Sequence, residues 1–213
     1  MNQDEYFSVH YDLKINVYPL EDGVTLPDPQ TFVKEIPPLF RVASECSEQE
    51  EQAERLLKGI SQDENAAIVQ YLFAQNSKIN LLLSYVLSQQ DDAQHRFYTT
   101  SFGASKLNYI ATQPLAVNQY VQTTLFLDYP PAAIYSYAQV SRCELLANNQ
   151  FEVELRYVRL QEEDKDLLIR AALHQQQKLL RQRAQQRSTT LKYAQIRSNT
   201  LKYAQQRSNT IKE

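Results

Sequence analysis

Near the start of the chain, hydrophobic residues alternate with mostly polar ones. The apolar positions are Phe7, Val9, Tyr11, Leu13, Ile15 and Val17. A period of two residues is typical of a β-strand with one buried face, so we predict a strand here. Prolines then interrupt the pattern. Asp28 before Pro29 predicts the N-cap and the first residue of a short helix that ends at about Glu35.

Apolar residues spaced three and four apart follow in two segments. Residues 47–60 begin with an acidic turn and predict one helix. A longer pattern continues to about Gln89, and its apolar positions are Ile68, Leu72, Ile79, Leu82, Leu83 and Val86. We predict a long amphipathic helix with these side chains on one side.

After Asp92 the chain is rich in β-forming residues separated by short polar or proline turns. The predicted strands are residues 95–101, 105–112, 118–127, 132–146 and 150–158. Five short strands in about 65 residues favour a small antiparallel barrel. Glu162, Glu163 and Asp164 then form the acidic first turn of a further helix.

The end of the chain contains a ten-residue repeat. Residues 187–196 and 197–206 are nearly identical, and a third copy ends at residue 211. A ten-residue step drifts by about 80° around a helix, so the repeat does not guarantee a regular coiled coil. A heptad-like seam with interruptions at Gln177 and Arg187 predicts self-association. Its members are Leu173, Leu180, Ala184, Leu191 and Ala194.

These elements predict an α+β chain in three parts. Residues 1–90 form an N-terminal strand with a helical extension, and residues 91–160 form the small antiparallel barrel. Residues 161–213 form a long, basic C-terminal helix that carries the repeats at 187–211.

Composition narrows the class of protein. The 213 residues are 43% hydrophobic and include three glycines and two cysteines, which excludes collagen-like and disulfide-rich proteins. Cys46 and Cys143 lie in no metal-binding motif. No stretch is apolar for the roughly 18 residues that a membrane span needs, and the N-terminus lacks a basic region, so we expect a cytoplasmic protein.

Charge is distributed unevenly. The net charge is −3, yet residues 165–213 carry eleven Lys and Arg against Asp166 and Glu213, which makes +9 there and −12 elsewhere. A basic arm on an acidic body can bind nucleic acid or anionic lipid, but it can equally bind its own body or a neighbouring copy.

Catalytic and metal-binding patterns are absent from the sequence. His10, His95 and His174 lie on three different predicted elements with no matching carboxylate or thiol spacing. The acidic run at residues 48–54 lacks the alternating ligands and glycine of a calcium loop, and we interpret it as a solvated helix face. We therefore predict no catalytic residue, no metal site and no enzyme activity.

The barrel and the helix that follows it resemble a PilZ domain. The residues that carry the resemblance are FEVELRYVRLQEEDKDLLIR, at 151–170, and the likeness covers about residues 90–185. Upstream, KINLLL at residues 78–83 is similar to the helix that precedes the barrel in a divergent group of these proteins. In that group, a lengthened C-terminal helix makes oligomers.

PilZ domains that bind cyclic di-GMP use an RxxxR loop before the barrel and a D/N-x-S-x-x-G strand motif. Here SFGASK, at residues 101–106, takes the place of the strand motif, and its acid or amide, serine and glycine are all replaced. Arg96 is the only arginine in residues 78–106, so the paired arginines are absent as well. An RxxxR at residues 183–187 follows the barrel instead of preceding it.

The resemblance implies a non-enzymatic adaptor or scaffold in bacterial cyclic di-GMP-related signalling, without a cofactor and homo-oligomeric through its C-terminal helix. One alternative is a cyclic di-GMP receptor with a rebuilt site made of Arg96, Ser101, Gly103 and Lys106. A third interpretation, ranked below both, is a nucleic-acid-binding protein that uses the basic arm. The protein partner is not specified by the sequence.

Overall fold

The structure, a computed structural model, describes the backbone of residues 8–21, 23–57 and 62–210. Its description of side chains covers residues 8–21, 23–53, 55–56 and 66–186. The chain forms two compact units, which divide between Leu173 and His174. The first unit contains the barrel and most of the helices, and the second is the remainder of the last helix.

The described residues form seven strands and four helices. The strands are β1 (Ser8–Val9), β2 (Lys14–Pro19), β3 (Arg96–Gly103), β4 (Lys106–Ala111), β5 (Tyr120–Leu127), β6 (Ala132–Leu145) and β7 (Phe151–Arg159). The helices are α1 (Pro29–Glu35), α2 (Pro38–Leu57), α3 (Gln62–Ser88) and α4 (Glu162–Thr210). None of these helices has the length and apolar character that a membrane span requires.

Six strands close into an antiparallel barrel in the order β3-β2-β5-β6-β7-β4, and β4 pairs back onto β3. The short strand β1 adds to β3 next to the hairpin that leads into β4. The largest side chains with almost no exposure fill the interior on alternate strand positions. Within the barrel strands they include Ile15, Val17, Phe102, Leu107, Tyr109, Val121, Leu125, Ile134, Val140 and Leu155.

The predicted strands 95–101 to 150–158 match β3 to β7 within two residues at each end. The barrel is not confined to residues 91–160, however, because β2 from the N-terminal segment lies between β3 and β5.

The N-terminal strand predicted from Phe7 to Val17 is interrupted between β1 and β2. In this gap the Thr99 hydroxyl pairs with the backbone instead. It accepts a hydrogen bond from the backbone N–H of Leu13 (2.9 Å) and donates one to the carbonyl of Tyr11 (2.8 Å). Phe7 lies outside the described residues.

Strand β2 also fixes the turn between α3 and β3. The buried amide of Asn16 donates to Asp91 Oδ1 (3.1 Å) and to the carbonyl of Asp92 (2.9 Å), and its oxygen accepts from the Asp92 backbone (3.0 Å). Tyr18 donates to Asp92 Oδ2 (3.2 Å). Because Asn16 uses both its donor and its acceptor capacity, its burial carries no unsatisfied polar group.

A second apolar core lies between the helices and the outer face of β5 and β6. Its members are Phe32, Ile36, Phe40, Ala43, Leu87, Phe126, Ala133, Tyr135 and Tyr137. β6 is therefore buried on both faces, which explains why residues 132–138 read as a continuous buried run instead of an alternating one. Tyr137 adds a polar link by donating to Glu35 Oε2 (2.8 Å).

Helix α1 begins as the sequence predicts. Asp28 caps it, accepting from the backbone of Gln30 (2.9 Å) and Thr31 (3.1 Å), and Pro29 takes the first helical position.

Helix α2 begins at Pro38, nine residues before the predicted start at Ser47. Proline is tolerated in a first helical turn, so the prolines that end α1 also open α2.

The long amphipathic helix is present as α3, but most of its predicted apolar stripe does not face the core. Of the predicted stripe, Leu83 packs against the helical core, in which Leu87 of the same helix is buried. The other stripe positions are exposed by 42–65%: Ile68, Leu72, Ile79, Leu82 and Val86. α3 is instead held on α2 by Asn80, which donates to both carboxylate oxygens of Glu50 (2.9 and 3.0 Å).

We expect Ile15→Ala to lower the free energy of unfolding by about 3 kcal/mol, because the side chain is fully buried and its removal leaves a cavity in the barrel. Val24→Ala removes two carbons instead of three from a side chain that is 43% exposed, and it should cost less than about 0.5 kcal/mol. Urea titration followed by circular dichroism measures both values. Equal stabilities would mean that β2 is a separable extension and not a barrel strand.

Candidate functional site

Three of the four residues predicted to bind a ligand lie together in the hairpin between β3 and β4. Ser101 pairs with Asn108, and Gly103 and Lys106 flank the two-residue turn. Gly103 is buried, and its backbone pairs with Ser8 of β1. The hairpin is thus covered along one edge by the N-terminal segment.

Lys106 is held by an ion pair on the barrel surface. Its ammonium lies 3.0 Å from Glu154 Oε2 on β7, and Glu154 Oε1 accepts from Ser141 Oγ on β6 at 2.7 Å. Burial alone would raise the pKa of the Glu154 carboxyl, but the Ser141 hydrogen bond and the Lys106 charge outweigh it and hold that pKa below its usual range. Glu154 is therefore ionised at neutral pH, and it neutralises the charge that Lys106 would offer to a phosphate.

Arg96 lies at the opposite end of β3. Its Nε donates to Asp91 Oδ2 (2.8 Å), a carboxylate that is almost fully buried and that also receives Lys14 Nζ at 3.4 Å. Gly103 lies seven positions after Arg96 along the strand, which is about 23 Å at 3.3 Å per residue. Arg96 is therefore part of the turn that β2 fixes and not part of the hairpin.

The predicted ligand residues thus form two separate groups, one at each end of β3. Each cation faces a carboxylate of low exposure, Glu154 at 13% and Asp91 at 3%. Freeing Lys106 for a ligand would leave Glu154 without its cation, and freeing Arg96 would leave the buried Asp91 with only the longer contact to Lys14; both losses are costly. Arg96 and Lys106 cannot grip the same phosphates from these positions.

A cleft of about 480 Å³ lies between α2 and the first turns of α4. Its lining carries both signs of charge and includes Arg41, Glu45, Glu48, Glu51, Arg55, Glu163, Asp164, Asp166 and Arg170. Glu51 accepts hydrogen bonds from Arg55 and from Arg170, so it joins the two helices. The sequence could not reveal this cleft, because its walls are about 120 residues apart along the chain.

Asp164 is the most buried charged group of the cleft, with 5% of its surface exposed. Burial raises the pKa of its carboxyl to about 6; the Ser44 hydroxyl, which donates at 3.1 Å, opposes this rise and the neighbouring Glu163 charge adds to it. The hydrogen bond from Ser44 joins the first turn of α4 to α2, which gives Asp164 a structural role.

The acidic run of α2 is only partly the solvated face that the sequence indicates. Glu50 accepts from Asn80 on α3, and Glu51 pairs with Arg55 and Arg170. In the described part of the chain, no group of three or more His, Cys, Asp or Glu side chains is arranged to hold a metal ion.

Only part of the predicted self-association seam can be placed. Leu173 and Leu180 are 45% and 56% exposed, and Ala184 is exposed too. Leu191 and Ala194 lie on α4 but outside the residues whose side chains the structure describes.

Comparison with known proteins gives matches at the level of fold. No protein-family model matches the chain, and no curated protein matches it in sequence. A solved Xanthomonas campestris protein, described as a tetrameric PilZ domain self-assembled through an unusual helical bundle, is 13% identical with a TM-score of 0.51; the match covers 83% of this chain and 91% of that one. The chain has a PilZ-like barrel fold, as the resemblance in residues 90–185 implies.

The inhibitor of motility MotI/DgrA of Bacillus subtilis is also similar. The two chains are 9% identical with a TM-score of 0.44, over 84% of this chain and 53% of that one. This chain therefore spans about half the length of the Bacillus protein.

We expect Asp164→Asn to change how stability depends on pH. The folded pKa of about 6 exceeds the unfolded value, so the stability that protonated Asp164 confers is present at low pH and is lost as pH rises through about 6. Between pH 5 and 7.5 this loss amounts to about 1 kcal/mol in the parent, and it should be absent from Asp164→Asn. Asp166→Asn, two residues away and exposed, is the matched control. Parallel pH profiles of Tm for the parent and Asp164→Asn would contradict the expectation.

Proposed function

We propose that this protein is a non-enzymatic PilZ-type adaptor that assembles into oligomers and acts in bacterial signalling connected with cyclic di-GMP. The observation that carries the proposal is the pairing of Lys106 with Glu154 on the barrel surface. It supports the proposal because Lys106, at a position predicted to bind a ligand, forms an ion pair within the barrel instead. The tetrameric PilZ domain of Xanthomonas campestris, with its helical bundle, supports the assembly.

Arg96 supports the same conclusion from the other end of β3. Its partner Asp91 also accepts from Asn16, so the guanidinium belongs to the network that fixes the α3–β3 turn. Cyclic di-GMP carries two phosphates and two guanine bases, and paired guanidinia suit this chemistry because each can bind two acceptors at once. One arginine that is paired with Asp91 and one lysine that is paired with Glu154 do not provide such a binding site.

Self-association is proposed to run through α4. Leu173 and Leu180 are spaced by seven residues, are exposed, and continue into the predicted positions Ala184, Leu191 and Ala194. A seven-residue spacing keeps side chains on one seam of a helical bundle. An adaptor gains from assembly because several linked barrels bind a partner with higher avidity than one.

The first test is calorimetric titration of the full-length protein with cyclic di-GMP. We expect no saturable heat up to high-micromolar ligand, since neither cation is available. Glu154→Gln, which frees Lys106 without changing the shape of its partner, is the informative variant. Binding that appears only in this variant would indicate that the ion pair closes a latent site.

Low-micromolar binding by the parent would contradict the adaptor proposal and favour the receptor with a rebuilt site. In that case, Lys106→Ala and Arg96→Ala would show which end of β3 binds the ligand. Loss of binding in the first variant alone would assign the site to the hairpin.

We also expect Leu180→Glu to lower the mass of the full-length assembly, because it places a charge in the apolar seam of α4. Lys178→Glu introduces the same carboxylate at an exposed position off the seam and should leave the mass unchanged. Sedimentation equilibrium measures both. Equal masses for the parent and Leu180→Glu would remove α4 from the assembly.

A further inference from the structure

Helix α3 exposes far more apolar surface than a helix on an isolated unit should. Lys78 is the only charged residue in positions 66–88. The large apolar side chains that are 42–72% exposed on this helix are Ile68, Tyr71, Leu72, Phe73, Ile79, Leu81, Leu82, Tyr85 and Val86. A helix that is hydrophobic on nearly all sides is normally buried.

Part of this surface is ordered as a seam. Ile68, Leu72, Ile79, Leu82 and Val86, with Gln75 completing the series, are spaced 4, 3, 4, 3 and 4 residues apart, and we name these six positions the α3 stripe. The stripe runs about 27 Å along the helix at 1.5 Å per residue. Spacing of this kind is typical of a helix packed lengthwise against another helix.

The area of the stripe matches a stable protein interface. A large apolar side chain carries roughly 200 Å² of surface, so the five apolar stripe residues and the flanking Tyr71 and Tyr85 together expose on the order of 700 Å². A standard interface buries about 800 Å² on each partner. An interface rich in apolar residues and poor in charge is typical of obligate homodimers.

We propose that the α3 stripe packs antiparallel against the α3 stripe of a second copy of this chain. The stripe is symmetric about Ser77, so a two-fold axis there places Ile68 against Val86 and Leu72 against Leu82. A two-fold interface needs a surface that complements itself, and these pairs provide it. Antiparallel helices also align their dipoles favourably.

Charge favours a second α3 over other occupants. A partner with an acidic or basic face would find no complementary charges on the stripe, and charge complementarity is what steers such partners. The basic arm of α4 from another copy finds no carboxylate in residues 66–88. This interface is separate from the seam on α4, so the two associations can be tested independently.

The test uses full-length protein and sedimentation equilibrium. Leu72→Glu and Leu82→Lys each place a charge in the stripe, and each should halve the mass of the assembly. Both positions are exposed, by 42% and 65%, so the variants should fold, which circular dichroism checks. Val117→Glu, at an exposed apolar position in a barrel turn, is the control and should keep the parent mass.

The combination of Leu72→Glu with Leu82→Lys should restore the parent mass, because the antiparallel register brings each introduced carboxylate against the introduced ammonium of the other copy. Leu72→Glu with Ile79→Lys carries the same charges without facing them and should stay dissociated. Unchanged mass in both single variants, or no restoration in the facing pair, would overturn the proposal. Leu180→Glu reports on α4 separately, and only its combination with Leu72→Glu should yield monomer.

Discussion

The pairing of β2 with both β3 and β5 is the constraint on which the first unit depends. β2 and β3 are neighbours in the barrel, yet 76 residues separate Pro19 from Arg96. The segment between them contains α1, α2 and α3, which pack on the outer face of β5 and β6. Its end, just before β3, is held next to β2 by the Asn16 hydrogen bonds to Asp91 and Asp92.

This arrangement explains why Lys14, Arg96 and Lys106 are held in ion pairs. Arg96 and Lys14 both form ion pairs with Asp91 in the turn between α3 and β3. Lys106 of β4 forms an ion pair with Glu154 of β7, beside β6. If Lys106 or Arg96 bound an anion instead, the buried carboxylate beside it would lose an ion-pair contact. The cations among the predicted ligand residues therefore take part in the ion pairs that stabilise this barrel.

Local patterns predicted the elements well, because strand and helix periods are local properties. β3 to β7, the Asp28 cap and the start of α4 at Glu162 all follow from residues within a few positions. The place of β2 in the barrel does not, since its partners lie about 80 to 110 residues away. The cleft around Asp164 depends in the same way on α2 meeting α4. Of the predicted ligand residues, only Ser101, Gly103 and Lys106 are close in sequence, and only they are close in space.

The α3 stripe shows why periodicity identifies a buried face but not the partner that buries it. The spacing of Ile68, Leu72 and Ile79 requires an apolar neighbour, and within one chain the core reaches only Leu83 and Leu87. The hydrogen bonds that Glu50 of α2 accepts from Asn76 and Asn80 account for this, because they place the polar side of α3 against α2. With the helix fixed in this rotation, the remaining apolar residues point away from the unit. The hydrophobic driving force that they carry is then available for association rather than for folding.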